Sequence, residues 1–156
     1  IFLEPKGRYW IKGEVDTAER AAPLHASRVV RQGADVTLVG HGAIVAMLLQ
    51  AAELAATEGT SIEVIDVRSL SPVDFEPIVA SVHKTGRMVY VQEAAGFTSV
   101  GSEISATVSE RAFYSLEAPV LRVSGWDVPF PPAKLEGAYL PDVDRILEAV
   151  DRSLAY

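Results

Sequence analysis

Short apolar runs alternate along this chain with longer stretches in which apolar residues recur every third or fourth position. Residues 28–32 are apolar in the middle, and "GAD" leads into 36–39, a β-branched run typical of a buried strand. After "GHG", Ile44, Met47, Leu48, Ala51, Leu54 and Ala55 mark one face of a helix over 43–58, which Gly59 ends. Residues 62–67 form the next apolar run. Ser71-Pro72 begins a turn into a helix over about 75–85, closed by Gly86. A strand over 88–91 follows. Ile104, Val108 and Ala112 then give a helical stripe over 101–113, and 120–123 is the last strand. Asp142 opens a final helix with Val143, Ile146, Leu147 and Val150 as its buried stripe. Strands alternating with helices predict a layered α/β domain with a mostly parallel sheet.

Between the last strand and the last helix the pattern breaks. Pro129, Pro131 and Pro132 fix their own φ and push each preceding residue toward extended geometry, so 127–133 must run as a stiff arm over the surface. Trp126 and Phe130 flank this arm. Aromatics in such a position fill a pocket either in their own domain or on a neighbour.

With 156 residues and 49% hydrophobic content, the chain can build one well-formed core and is too short for two ordinary domains. It begins with Ile1, and "IFLEP" reads as a strand with nothing before it to pair with. The expectation is a fragment of a longer protein, with 1–20 as the tail of a preceding domain plus a linker and 21–156 as the domain. A net charge of −7 without any Lys/Arg cluster argues against nucleic acid and suits a basic protein partner. The absence of cysteine excludes a disulfide framework, Cys-ligated zinc and iron–sulfur clusters. No apolar run approaches the roughly 20 residues that span a bilayer, and no cleavable signal is visible, so the expectation is a soluble, intracellular protein.

Candidate chemistry is sparse. The segment "VGHGAIVA" is a strand, a glycine turn and a helix start, an arrangement that serves as a structural tight turn or holds an anion on free N–H groups. It carries only two glycines of the dinucleotide fingerprint, with Val45 where the third should stand. His41 lies in that turn at the carboxyl edge of the sheet, either as a proton-transfer group or as a surface or interface residue. His25 and His83 read as solvated. Glu93, at the carboxyl end of a strand, is the best-placed carboxylate for general acid or base work, against the alternative of a structural carboxylate bonding loop N–H groups. Asp66 and Arg68 read as an ion pair at a strand end, and Asp74 as the cap of the next helix. No H-x-x-x-H or H-E-x-x-H spacing and no G-x-S-x-G elbow occurs, so neither a catalytic metal nor that hydrolase chemistry is expected.

Four blocks, "IFLEPKGRYW", "IEVIDVRSLSPVD", "EISATVSERAFYSLEAPVLRV" and "VLRVSGWDVPFPPAKLEGAYLPD", together resemble the C-terminal domain of the β subunit of thiamine-diphosphate-dependent 2-oxo acid dehydrogenases, in the order in which that family carries them. "IFLEPKGRYW" and "SEISATVSE" look more like the branched-chain than the pyruvate enzymes. "IFLEPK" and "DVPFPP" disfavour the matching domains of transketolase and deoxyxylulose-phosphate synthase. The resemblance implies a three-layer α/β/α fold with five strands, the first antiparallel to the others. It further implies an α2β2 heterotetramer that binds thiamine diphosphate and magnesium, decarboxylates a 2-oxo acid and passes the acyl group to a lipoyl arm. In the family the β-subunit groups that help bind the cofactor lie in an N-terminal domain. No catalytic or cofactor-binding residue is therefore expected in this stretch, with Glu93 and His41 as weak candidates.

The implied role is assembly: contact with a second β subunit, with the α subunit, and with the subunit-binding domain of the lipoyl acyltransferase. Trp126, Phe130, Asp142, Asp151 and Tyr156 are the residues expected to meet partners. The implied location is the bacterial cytoplasm or the mitochondrial matrix. Many relatives carry His shortly after the Glu93 position, where this chain has Ala95, and branched-chain relatives lack it too. The rival reading from another class is a free-standing α/β module that uses the "GHG" turn for a small anion.

Overall fold

The computed structural model describes residues 1, 3, 9, 10, 12–14, 17, 18 and 23–156. The expected opening strand and most of the expected 1–20 linker lie outside the described residues. The elements run β1 (Arg28–Arg31), β2 (Val36–Gly40), α1 (Ile44–Thr57), β3 (Ile62–Asp66), α2 (Glu76–Thr85), β4 (Met88–Ala95), α3 (Val100–Ala112), β5 (Leu121–Gly125), α4 (Glu136–Tyr139) and α5 (Val143–Leu154). The strands form one sheet in the order β1-β3-β2-β4-β5, with β1 antiparallel to β3 and every other pair parallel.

Strand alternation sends neighbouring residues to opposite faces, and each face has its own core. Leu38, Val64, Val89, Val91 and Val123 pack with Leu48, Ala51 and Ala52 of α1 and with Ile146 and Val150 of α5. Val39, Ile65, Met88 and Tyr90 pack with Ile78 and Val82 of α2 and with Ile104 and Val108 of α3. The result is the expected three-layer α/β/α sandwich. Full burial of each such aliphatic side chain is worth about 1.5–3 kcal/mol, so the strands are the stable centre of the domain.

Two polar residues interrupt these cores at adjacent register positions of β2 and β3, and both are satisfied by α2. Thr37, fully buried, bonds the hydroxyls of Ser81 and Thr85 at 2.7 Å each. Glu63 is ion-paired with Lys84. A pattern of apolar spacing alone does not reveal such pairs, because their partners lie more than 20 residues away.

The structure corrects several sequence expectations. Leu54, read as part of the buried stripe of α1, is 46% exposed. Asp66 and Arg68 form no ion pair: the Asp66 carboxylate accepts the Arg68 backbone N–H at 3.1 Å, while the guanidinium donates to the Pro23 and Ala26 carbonyls. Arg68 adopts φ 59, which turns its side chain away from that carboxylate. Asp74 sits one residue before the cap position, which Phe75 occupies; its two carboxylate oxygens accept from the Glu76 and Ser27 N–H groups. The arm runs without helix or strand through Pro132, as expected, and ends one residue early: a 3-10 turn at Ala133–Leu135 runs into α4, which buries Tyr139. Once past the last proline nothing forbids helix, and Tyr139 supplies an apolar anchor.

Candidate functional site: the carboxyl edge of the sheet and the proline arm

From β2 the chain steps to β3 on one side, then crosses to β4 and β5 on the other. The direction of winding therefore changes between β2 and β4, and ligands of open α/β sheets bind outside the strand ends at such a point. His41 occupies it, directly after β2. The turn closes because Gly42 takes φ 64, a left-handed conformation that suits glycine.

His41 is half-buried, and its Nδ1 lies 2.9 Å from the hydroxyl of Tyr90, which rises from the neighbouring strand β4. Burial lowers the His41 pKa; Glu93 and Asp66 pull it back upward by a smaller amount. Burial also raises the Tyr90 pKa, so the phenol stays protonated. With the hydroxyl donating to Nδ1, the neutral imidazole carries its proton on Nε2. An imidazole oriented by a phenol, with two carboxylates near it, can exchange a proton with a bound molecule.

Glu93 is exposed and does not serve the loop that follows it, contrary to the structural reading of that carboxylate. The neighbouring Gln92 does, from a position 3% exposed. Its Oε1 accepts the buried Gly101 N–H at 3.1 Å, and its Nε2 donates to the Ala94 and Ala95 carbonyls at 3.2 and 2.7 Å. Gly101 must be glycine for this to work, since a Cβ there would stand 2.7 Å from the Tyr90 ring and 2.9 Å from Gln92 Oε1. The Asp127 carboxylate accepts the Phe97 N–H at 2.9 Å, and Arg122 donates to the Gly96 carbonyl and the Ser102 hydroxyl. The β4–α3 loop is thereby tied both to its own strand and to the start of the proline arm. Sequence reading missed Gln92, Tyr90 and Asp127. A glutamine at the end of an otherwise apolar strand run was the one signal available for the first.

The arm answers the question of where Trp126 and Phe130 pack. Trp126 donates its indole N–H to the Ala138 carbonyl at 2.9 Å, and the Arg145 guanidinium lies 4.5 Å from its ring centre. Phe130 meets Tyr139 edge-on at 5.0 Å. Each ring is thus braced by its own domain, yet 54% of Trp126 and 61% of Phe130 remain exposed. Phe97, Val128 and Leu135 are exposed as well. Asp142 caps α5 by accepting the Arg145 N–H at 2.8 Å and stays exposed, as do Asp151 and Tyr156. His25 and His83 are exposed and bond the hydroxyls of Ser69 and Ser115. Among the described residues no group of three His, Asp or Glu side chains is placed to hold a metal, and no helix is long and apolar enough to cross a membrane.

A five-stranded mixed sheet between two helical layers, with its glycine turn at the winding reversal and a proline arm beyond the last strand, defines a class of α/β domain. The chain belongs to the transketolase C-terminal domain family, which matches residues 25–146. It is 65% identical over its whole length to a pyruvate dehydrogenase E1 component subunit beta of Leifsonia xyli subsp. xyli, of which it covers 46%. It is 45% identical, over 99% of its length, to a 3-methyl-2-oxobutanoate dehydrogenase subunit beta of Mycobacterium tuberculosis, of which it covers 44%. Relatives therefore include β subunits of both the pyruvate and the branched-chain 2-oxo acid dehydrogenases, and the chain spans about half of their length. A solved split-gene transketolase, described as an inactive beta4 tetramer, superposes with a TM-score of 0.77 at 32% identity; the match covers 92% of this chain and 46% of that one. A transketolase from Pichia stipitis shares the fold at 13% identity, with a TM-score of 0.53.

Proposed function

We propose that this chain is the assembly domain of the β subunit of a 2-oxo acid dehydrogenase first component, of the branched-chain type. The whole enzyme would bind thiamine diphosphate and magnesium where α and β subunits meet, decarboxylate a 2-oxo acid oxidatively and hand the acyl group to lipoyl. The domain itself would hold no cofactor and make protein contacts: with the α subunit, a second β subunit and the subunit-binding domain of the acyltransferase. The observation that carries this reading is the arm, where Trp126 and Phe130 are held rigid by their own domain and still present more than half of their surface. Preordered aromatics of this kind lose little entropy on docking. The beta4 assembly named for the split-gene transketolase supports β–β association. A second reading, the pyruvate type, is favoured by the 65% identity to the Leifsonia xyli β subunit; "IFLEPKGRYW" and "SEISATVSE" favour the branched-chain type.

Asp142, Asp151 and Tyr156 would face the subunit-binding domain, the two carboxylates meeting its basic groups. The test is a surface-plasmon titration of the heterotetramer with that domain at two ionic strengths. Removal of residues 154–156 is expected to weaken docking about tenfold, with affinity falling as salt rises, because exposed charge pairs are screened over about 8–10 Å. Equal affinity for truncated and intact β would remove the C-terminus from the binding surface.

A further inference from the structure

The turn after β2 and the loop after β4 meet through one phenol. Tyr90 is fully buried, and its hydroxyl reaches His41 Nδ1 in the β2–α1 turn at 2.9 Å. Its ring lies against the backbone of Gly101, in the first turn of α3, so closely that a Cβ there would come within 2.7 Å of it. The loop that leads into α3 holds Thr98 at φ 49, a left-handed conformation unfavourable for a β-branched residue. Such a loop keeps its shape only while its tethers hold. One of them, the bond from the Phe97 N–H to the Asp127 carboxylate, joins it to the start of the proline arm.

His41 is the member of these contacts that titrates near neutral pH. Neutral, it accepts the phenol proton on Nδ1 and carries its own proton on Nε2. Protonated, it bears N–H on both nitrogens and accepts nothing, so Nδ1–H must donate to the phenol oxygen and the phenol proton loses its acceptor in a buried place. The imidazolium has better partners. Two carboxylates act on it from the flanking strands, Glu93 near the end of β4 and Asp66 at the end of β3. The first turn of α1 has no acid, that of α3 has the exposed Glu103, and Arg68 directs its guanidinium to the Pro23 and Ala26 carbonyls. Burial lowers the pKa of the bound ring, so a released and more exposed ring takes up the proton more readily, and acid favours release.

We infer that His41 and Tyr90 form a proton-sensitive latch on the β4–α3 loop, closed while the imidazole is neutral and released when the imidazolium turns from the phenol to Glu93 and Asp66. Release loosens the exposed Phe97 and its tie to Asp127 at the start of the arm. The latch is built into this chain and is independent of what the domain assembles with.

The test is amide hydrogen exchange by NMR on the isotopically labelled 156-residue chain, at about pH 7.5 and 5.5 and expressed as protection factors so that the intrinsic pH dependence cancels. Ring-nitrogen shifts of His41 should show the Nε2–H tautomer at the higher pH. Protection at Phe97 and Gly101 should fall about fivefold at the lower pH, because one proton taken up about one unit below 6.5 changes an opening equilibrium at most about tenfold. That opening should depend far less on urea than exchange at Val89 and Val91 in β4, which needs global unfolding. His41→Asn should make the loop's protection equal at both pH values. Tyr90→Phe keeps the ring on Gly101 and deletes the hydroxyl, and should leave protection low at both. An Nδ1–H tautomer, loop exchange with the urea dependence of β4, protection indifferent to pH in the native chain, or a pH-dependent loop in either variant would each overturn the latch.

Discussion

Replacing Gln92 by Met tests whether one buried amide organises the carboxyl edge of the sheet. The substitution keeps length and approximate shape while deleting three hydrogen bonds, to the Gly101 N–H and to the Ala94 and Ala95 carbonyls. The three losses are unequal. The Gly101 N–H is buried and a methionine offers it no oxygen to replace the amide, so leaving it unpaired costs about 1–3 kcal/mol. The two carbonyls lie at partly buried positions that water can reach, and each loses the net value of a bond, about 0.5–1.5 kcal/mol. The sum centres on about 4 kcal/mol, which for a domain of this size lowers Tm by about 8–16 °C. Urea unfolding with an unchanged m-value measures it, and hydrogen exchange at Gly101 shows whether the loop opens locally. A loss below about 1 kcal/mol with Gly101 still protected would refute the assignment of Gln92 as the loop's anchor.

Trp126→Ala removes a half-exposed ring and should leave the isolated domain folded; in the heterotetramer proposed above it should weaken assembly by about 2 kcal/mol, read by sedimentation, whereas collapse of the fold would make the arm core packing. The His41 pKa is lowered by burial, so the unfolded chain binds the proton more readily. Its effect is absent above the unfolded value of 6.5, and stability then declines as pH falls below it. His41→Asn should flatten that decline in urea titrations at about pH 7.5 and 5.5, and parallel curves would contradict the burial argument. Calorimetry of this chain with thiamine diphosphate and magnesium should detect no binding tighter than about 100 μM, because the chain has no G-D-G motif followed by Asn to hold a diphosphate and its magnesium; tighter binding would place a cofactor site here.

The sequence by itself determined the layered fold and nearly every element in it, because burial imposes a spacing that can be counted. Val36, Leu38 and Val39 read as a doubly buried strand, and Ile104, Val108 and Ala112 as one helical stripe, since each pattern fits a single backbone period. Gly59 and Gly86 marked helix ends through the left-handed conformation they adopt there. The proline arm was legible because a pyrrolidine ring constrains φ wherever it stands. The assignment of partners to polar groups was not legible, and the tertiary structure decided all of it. Asp66 and Arg68, two residues apart, form no ion pair, because the carboxylate takes the Arg68 backbone N–H and the guanidinium turns to other carbonyls, while the Gln92 amide reaches the N–H of Gly101 nine positions on. His41 meets Tyr90 across 49 positions because β2 and β4 are neighbours in the sheet. Apolar burial is set by an average property of a face and survives small shifts in geometry. A hydrogen bond or ion pair depends on a few tenths of an ångström and on an angle between distant elements, and only the assembled sheet fixes those.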